Sequence, residues 1–202
     1  MILEAHIVDQ LIEIIRKAHR EILAVYESED LGVDYKSDES PLTAADQAAN
    51  AVICEGLERL PEIYPVVSEE NKSVPYEIRK DYTRYWLVDP LDGTKEFIRR
   101  NGEFTVNIAL VQKETSVFGI VGIPVSGEIY WAAKGGGAWK LDASGKKQTI
   151  RASSFSMEDS GLTVVASRSH LNEATVAYIG QLKDPELLSR GSSLKLLALA
   201  TG

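Results

Sequence analysis

The chain has 202 residues with 22 Lys and Arg against 30 Asp and Glu, a net charge of −8. At 44% hydrophobic and 26% charged it has the composition of an ordinary soluble protein, large enough for one large domain or two small ones. The acidic balance argues against a nucleic acid polymer as the main partner, but not against an anionic small molecule, because a bound cation can invert the local field. A single cysteine, Cys54, allows no internal disulfide and is compatible with a reducing cytoplasm; it lies in an apolar helical pattern and reads as packing. No apolar run is long enough to span a bilayer, and Glu4 and Asp9 near the start do not suit a secretory signal.

In chain order, Leu3 to Tyr26 carries Ile7, Leu11, Ile14, Ile15, Ala18, Ile22 and Tyr26 at steps of three and four, which predicts a long amphipathic helix. His6 and His19 fall on it without a second ligand at metal spacing, so both read as surface or packing residues. Lys36 to Pro41 reads as a loop. A second helix follows from about Thr43 to Leu60, and Thr43-Ala44-Ala45-Asp46 resembles a capping box with Asp in place of Glu. On spacing alone Asp46 caps that helix. Pro65 to Ser68 reads as a short strand ending in Glu69-Glu70, which at a strand end would ordinarily be a solvated edge. Residues 71–84 read as a charged insertion, loop or short helix.

Tyr85-Trp86-Leu87-Val88 predicts a buried strand that stops at Asp89. Pro90 predicts a turn there, and Gly93 permits unusual backbone geometry. From Thr94 a short helix is expected, so the stretch reads strand, tight turn, helix. Asp89 and Asp92 stand three residues apart in that turn. As plain turn residues they would be unremarkable. As a pair they repel unless a cation lies between them, and hard oxygen ligands of this kind suit Mg²⁺. The helix start offers unpaired N–H groups to a phosphate.

Closely spaced strands at 104–111, 116–123, 127–133, 137–141 and 147–151 predict antiparallel pairing. Gly135-Gly136-Gly137 is a turn rather than a dinucleotide fingerprint. A strand over 162–167 ends in Ser167-Arg168-Ser169-His170, whose polar groups either meet a ligand or start the next helix, expected over 172–183. A short strand over 186–190 precedes Gly191-Ser192-Ser193-Leu194-Lys195, where a Ser cap and a nearby Lys suggest an anion site. The sequence alone gives an α+β fold, with a first part over 1–155 and the start of a second over 156–202.

Taken whole, Asp89-Pro90-Leu91-Asp92-Gly93-Thr94 after Trp86-Leu87-Val88 resembles the signature of the inositol monophosphatase superfamily. The continuation Lys95-Glu96-Phe97-Ile98, then residues 101–109, is similar to its 3′(2′),5′-bisphosphate nucleotidase branch of the CysQ type. The resemblance implies the layered αβαβα sandwich shared with fructose-bisphosphatases. It implies a lithium-sensitive, Mg²⁺-dependent phosphatase that hydrolyses the 3′-phosphate of 3′-phosphoadenosine 5′-phosphate in sulfur metabolism. Metal ligands would be Glu69, Asp89, the Leu91 carbonyl and Asp92, with Glu70 behind them. Asp46, in Ser40-Pro41-Leu42-Thr43-Ala44-Ala45-Asp46, would help activate water together with Thr94 and Glu69. Leu91, Asp92, Gly93 and Thr94 would also meet the phosphate, and Arg168, His170, Ser192 and Lys195 the nucleotide. The setting implied is cytoplasmic; some nucleotidases of this type are peripheral on the inner face of the membrane. No residue pattern indicates an oligomeric state.

The family continues to a Trp-Asp-x-Ala-Ala motif whose Asp ligates metal. That motif is absent here, which suggests a chain truncated at the C-terminus, as a fragment or a shortened protein. Two alternatives follow: a superfamily phosphatase acting on inositol or sugar phosphates, or an inactive phosphate-binding module.

Overall fold

The structure, a computed structural model, describes residues 3–36, 41–167 and 172–202, with Ser167 described by its backbone alone. Its elements run α1 (Ala5–Tyr26), β1 (Asp34–Tyr35), β2 (Pro41–Leu42), α2 (Ala44–Glu58), β3 (Val66–Ser68), α3 (Tyr76–Arg79), β4 (Arg84–Asp92) and α4 (Thr94–Ile98). Then come β5 (Thr105–Gln112), β6 (Thr115–Ile123), β7 (Glu128–Ala133), β8 (Gly137–Leu141) and β9 (Lys147–Thr149). The last elements are β10 (Thr163–Ser167), α5 (Glu173–Ile179), β11 (Glu186–Arg190) and α6 (Leu194–Thr201). Among the described residues no helix is long and apolar enough to cross a membrane.

Strands β3 to β9 form one seven-stranded sheet in chain order. Only β3 and β4 pair in parallel; every later neighbour is antiparallel, as close spacing demands. The strands alternate, so one set of side chains faces the helices. Trp86, Val88, Val106, Ile108, Leu110, Phe118, Ile120 and Ile129 are buried there. Helices α1 and α2 pack on each other, α1 over β5 and β6, α2 over β3 and β4. The stripe of α1 supplies Leu11, Ile15, Ala18 and Ile22, all fully buried, and α2 supplies Ala45, Ala49, Ile53 and Leu57. On the other face of the sheet Leu87 stays 46% exposed.

The second part is a parallel pair, β10 with β11, against which α6 packs. Helices over a mixed sheet, followed by this second strand pair, are the layered arrangement that the resemblance implied. Two local expectations are corrected. Strand β4 does not stop at Asp89; it runs through Pro90 to Asp92. And the stretch before Thr43 contains a small hairpin, Asp34 pairing with Leu42 and Tyr35 with Pro41.

Candidate active site

Strand β4 explains the pair of acids. In a regular strand residues three apart point to opposite faces. Here Asp89 sits opposite Asn107 and Asp92 opposite Thr105, so three steps on β4 match two on β5. The extra residue is a β-bulge, and a Pro is tolerated at such a break because the ladder is already interrupted. The bulge brings Asp89 and Asp92 close enough for each charge to act on the other. Asp89 Oδ1 accepts the Leu91 N–H at 3.2 Å, folding the carboxylate back over the turn. Leu91 itself is 2% exposed and pins the bulge into the core.

Gly93 ends the turn in the left-handed region, at φ +96. A Cβ there would lie 2.9 Å from the Glu103 carbonyl oxygen and 3.2 Å from Ser192 Cβ, so only glycine fits without a shift. The chain then enters α4. Phe97 anchors that helix, its ring 5.2 Å from Tyr26 and 5.1 Å from Phe104.

Asp46, at the start of α2, closes the capping box with Thr43, taking its N–H at 2.7 Å and its hydroxyl at 2.5 Å on Oδ2. Its Oδ1 faces the Thr94 hydroxyl at 3.3 Å. Asp46 thus caps α2 with one oxygen and reaches the turn with the other. The Thr94 hydroxyl has a second acceptor, the Leu91 carbonyl, also at 3.3 Å. Burial pushes the Asp46 carboxyl up; hydrogen bonds from Thr43 oppose this, the charge of Glu70 adds to it, and the Thr94 hydrogen bond opposes it.

Glu69 and Glu70 follow β3, and the Glu69 N–H donates to the Val88 carbonyl, which ties them beside Asp89. Burial pushes the Asp89 carboxyl up to about 7, and the charges of Asp92, Glu69 and Asp46 push the same way against the Leu91 hydrogen bond. Four carboxylates from three segments thus converge with too little positive charge among them. That donor set, carboxylates with a backbone carbonyl alongside, has the chemistry of a hard divalent cation site.

Among the described residues no three acids, histidines or cysteines already form a ready-made metal cluster. Two of the acids are held in other hydrogen bonds. Glu69 Oε1 is taken by Lys36 Nζ at 2.9 Å. Asp92 Oδ2 is taken by the Ser192 hydroxyl at 2.7 Å and the Ser193 N–H at 2.6 Å.

The start of α6 departs from expectation. Ser193, at its N-cap position, makes no side-chain cap; its hydroxyl goes to Asn107 Oδ1 at 2.9 Å and to Thr105 Oγ1 at 2.8 Å. Ser192 stands at φ +53, with its hydroxyl between Asp92 and Thr105. Lys195 Nζ donates to the Ser192 carbonyl at 2.7 Å. Ser192 therefore meets the turn through Asp92, and Lys195 meets Ser192. Glu103 strengthens this joint by accepting the Gly191 N–H at 2.8 Å. Arg168 and His170 lie outside the described residues. Glu103, Thr105, Asn107, Ser193 and Lys36 were not singled out from sequence. The available signal was a polar residue inside a buried strand, Thr105 and Asn107 among Val106, Ile108 and Leu110.

A model of the inositol monophosphatase family matches residues 4–202 of the chain. The chain belongs to that family. Within it, the chain is 44% identical over 196 residues to the 3′(2′),5′-bisphosphate nucleotidase CysQ of Salmonella typhimurium, covering 96% of this chain and 76% of that protein. Against the nucleotidase CysQ of Buchnera aphidicola it is 38% identical, covering 96% and 71%. The crystal structure of CysQ from Bacteroides thetaiotaomicron, itself described as a bacterial inositol monophosphatase family member, superposes with a TM-score of 0.80. That match has 38% identity and covers 96% of this chain and 77% of the other. An inositol monophosphatase of Thermotoga maritima shares the family fold at a TM-score of 0.77 and 20% identity.

Proposed function

We propose that this chain is a cytoplasmic, magnesium-dependent 3′(2′),5′-bisphosphate nucleotidase that hydrolyses the 3′-phosphate of 3′-phosphoadenosine 5′-phosphate to AMP and phosphate. The observation that carries the reading is the 44% identity to a CysQ nucleotidase over 196 residues, 96% of this chain. The donor chemistry of the turn supports it. Glu69, Asp89, the Leu91 carbonyl and Asp92 are the groups that would hold magnesium. When bound, the ion supplies positive charge that activates water and stabilises charge on the phosphoryl group.

The chain's own residues do the rest. Asp46, a carboxylate, is the stronger of the two acceptors for the Thr94 hydroxyl proton, so that as the Thr94 oxygen takes a proton from an attacking water its own proton passes to Asp46. The new bond joins the water oxygen to phosphorus. The bond from phosphorus to the ribose 3′ oxygen breaks, and that oxygen takes up a proton. The N–H groups of Gly93 and Thr94, at the start of α4, hold phosphate oxygens, because phosphoryl transfer is mostly positioning and charge stabilisation. Ser192, which borders the same turn, and Lys195 beside it would orient the nucleotide.

Asp89→Asn tests the assignment. It keeps the size of the side chain and removes the charge at the centre of the cluster. Magnesium-dependent phosphate release should fall by at least about 100-fold with the circular dichroism spectrum unchanged. Full activity in that variant would remove Asp89 from the site.

A further inference from the structure

Lys36 stands at the end of the β1 arm of the hairpin whose other arm, β2, leads into Thr43 and Asp46. Its ammonium lies 2.9 Å from Glu69 Oε1 and 2.7 Å from Glu70 Oε1. The Glu70 side chain is 8% exposed and that of Lys36 24%, so this pair is partly withdrawn from water, whereas the Glu69 side chain is 53% exposed. Lys36 is thus anchored on the buried acid and reaches across to the open one. Burial works against its charge, but the hydrogen bonds and charges of Glu70 and Glu69 hold the ammonium proton more tightly than usual.

We propose that Lys36 is a tethered counter-ion which occupies Glu69 in the metal-free protein and which magnesium has to displace, so that Lys36 sets the apparent affinity of the site for the ion. The inference rests on the reading above that Glu69 is a metal ligand. Lys36 holds Glu69 Oε1, and a divalent ion on either oxygen of that carboxylate would stand close enough to the ammonium for the two cations to repel. The exchange leaves Lys36 with Glu70, which is the shorter of its two contacts, so the ammonium is not stranded when Glu69 is released. A lysine suits the part: its ammonium is a compact charge on a flexible stem. The same charge lowers the mutual repulsion of Glu69, Glu70 and Asp89 before the ion arrives.

The test is calorimetric titration of Mg²⁺ into the metal-free full chain, with the wild type beside Lys36→Gln, Lys36→Arg and Glu69→Gln, and with a thermal melt of each with and without the ion. Lys36→Gln should bind Mg²⁺ more tightly by about ten-fold, the scale of one partly screened charge pair. Its metal-free melting temperature should fall while its metal-saturated one stays near wild type. Lys36→Arg keeps the charge and should bind like the wild type. Glu69→Gln should bind weakly. Equal or weaker binding by Lys36→Gln beside a weakened Glu69→Gln would overturn the role of Lys36 and leave Glu69 a ligand. Unchanged binding by Glu69→Gln would overturn both. Tightening by Lys36→Arg as great as by Lys36→Gln would show that shape, not charge, is at work, and would also overturn the proposal.

Discussion

His19 shows how one residue ties pH to stability away from the acidic turn. It is 6% exposed on α1, and its Nε2 is a buried atom without a hydrogen-bond partner among the described residues. It lies over Gly122 of β6, where a Cβ would come within 2.2 Å of Nε2, so the helix and the sheet approach through the ring. Burial, with the charge of Arg16 adding to it, lowers its pKa from 6.5 to about 4. The folded chain therefore holds this ring neutral while the unfolded chain protonates it below 6.5. Between those two values the unfolded state binds more protons, so stability is lost as pH falls through the window and is level above it. The loss by pH 4 amounts to roughly 3 kcal/mol from this residue. Denaturant unfolding of the wild type and of His19→Gln across pH 4 to 7 checks it: the wild type should lose more on acidification. Parallel curves would mean that the ring titrates normally. In the sequence His19 read as a surface or packing residue, and neither choice nor depth was legible, since a histidine on an apolar stripe carries no mark of what lies opposite.

At the scale of elements, β4 and the turn after it decide the site. Gly93→Ala would put a side chain at φ +96 and against the Glu103 carbonyl. Strain and clash together should destabilise the fold by about 2 kcal/mol. Relaxation must shift the turn itself, the Glu103–Phe104 backbone or the Ser192 segment, all of which adjoin Asp92 or its partners, so phosphate release should fall further than stability does. A denaturation midpoint measured beside a turnover number separates the two effects. Unchanged turnover in that variant would mean that the turn tolerates displacement. The helices, the meander and the order of strand, turn and helix were readable because long apolar periods and close polar turns leave few alternatives. Pro90 misled, since Pro ends a regular ladder but is accepted at a bulge, and a bulge has no pattern of its own in a single sequence. The hairpin of β1 and β2 escaped because two-residue strands, Asp34–Tyr35 and Pro41–Leu42, are too short to show alternation.

Over the whole molecule the site joins parts far apart in the chain. Asp46 from α2, Glu69 after β3, Asp89 and Asp92 from β4, Thr94 from α4 and Ser192 before α6 meet at one end of the sheet. The motif made the acids legible as candidates. What the sequence could not disclose is their pairing, with Lys36 on Glu69 and two serines on Asp92, because those partners lie 33, 100 and 101 residues away. This assembly is the proposed metal-dependent nucleotidase site. Its most direct test is phosphate release from 3′-phosphoadenosine 5′-phosphate by the 202-residue chain, beside inositol monophosphate, with Mg²⁺ and with EDTA. Release from the nucleotide is expected in Mg²⁺, with its loss in EDTA and at least about ten-fold slower release from inositol monophosphate. Release that EDTA leaves untouched, faster release from inositol monophosphate, or none from a folded chain would contradict it.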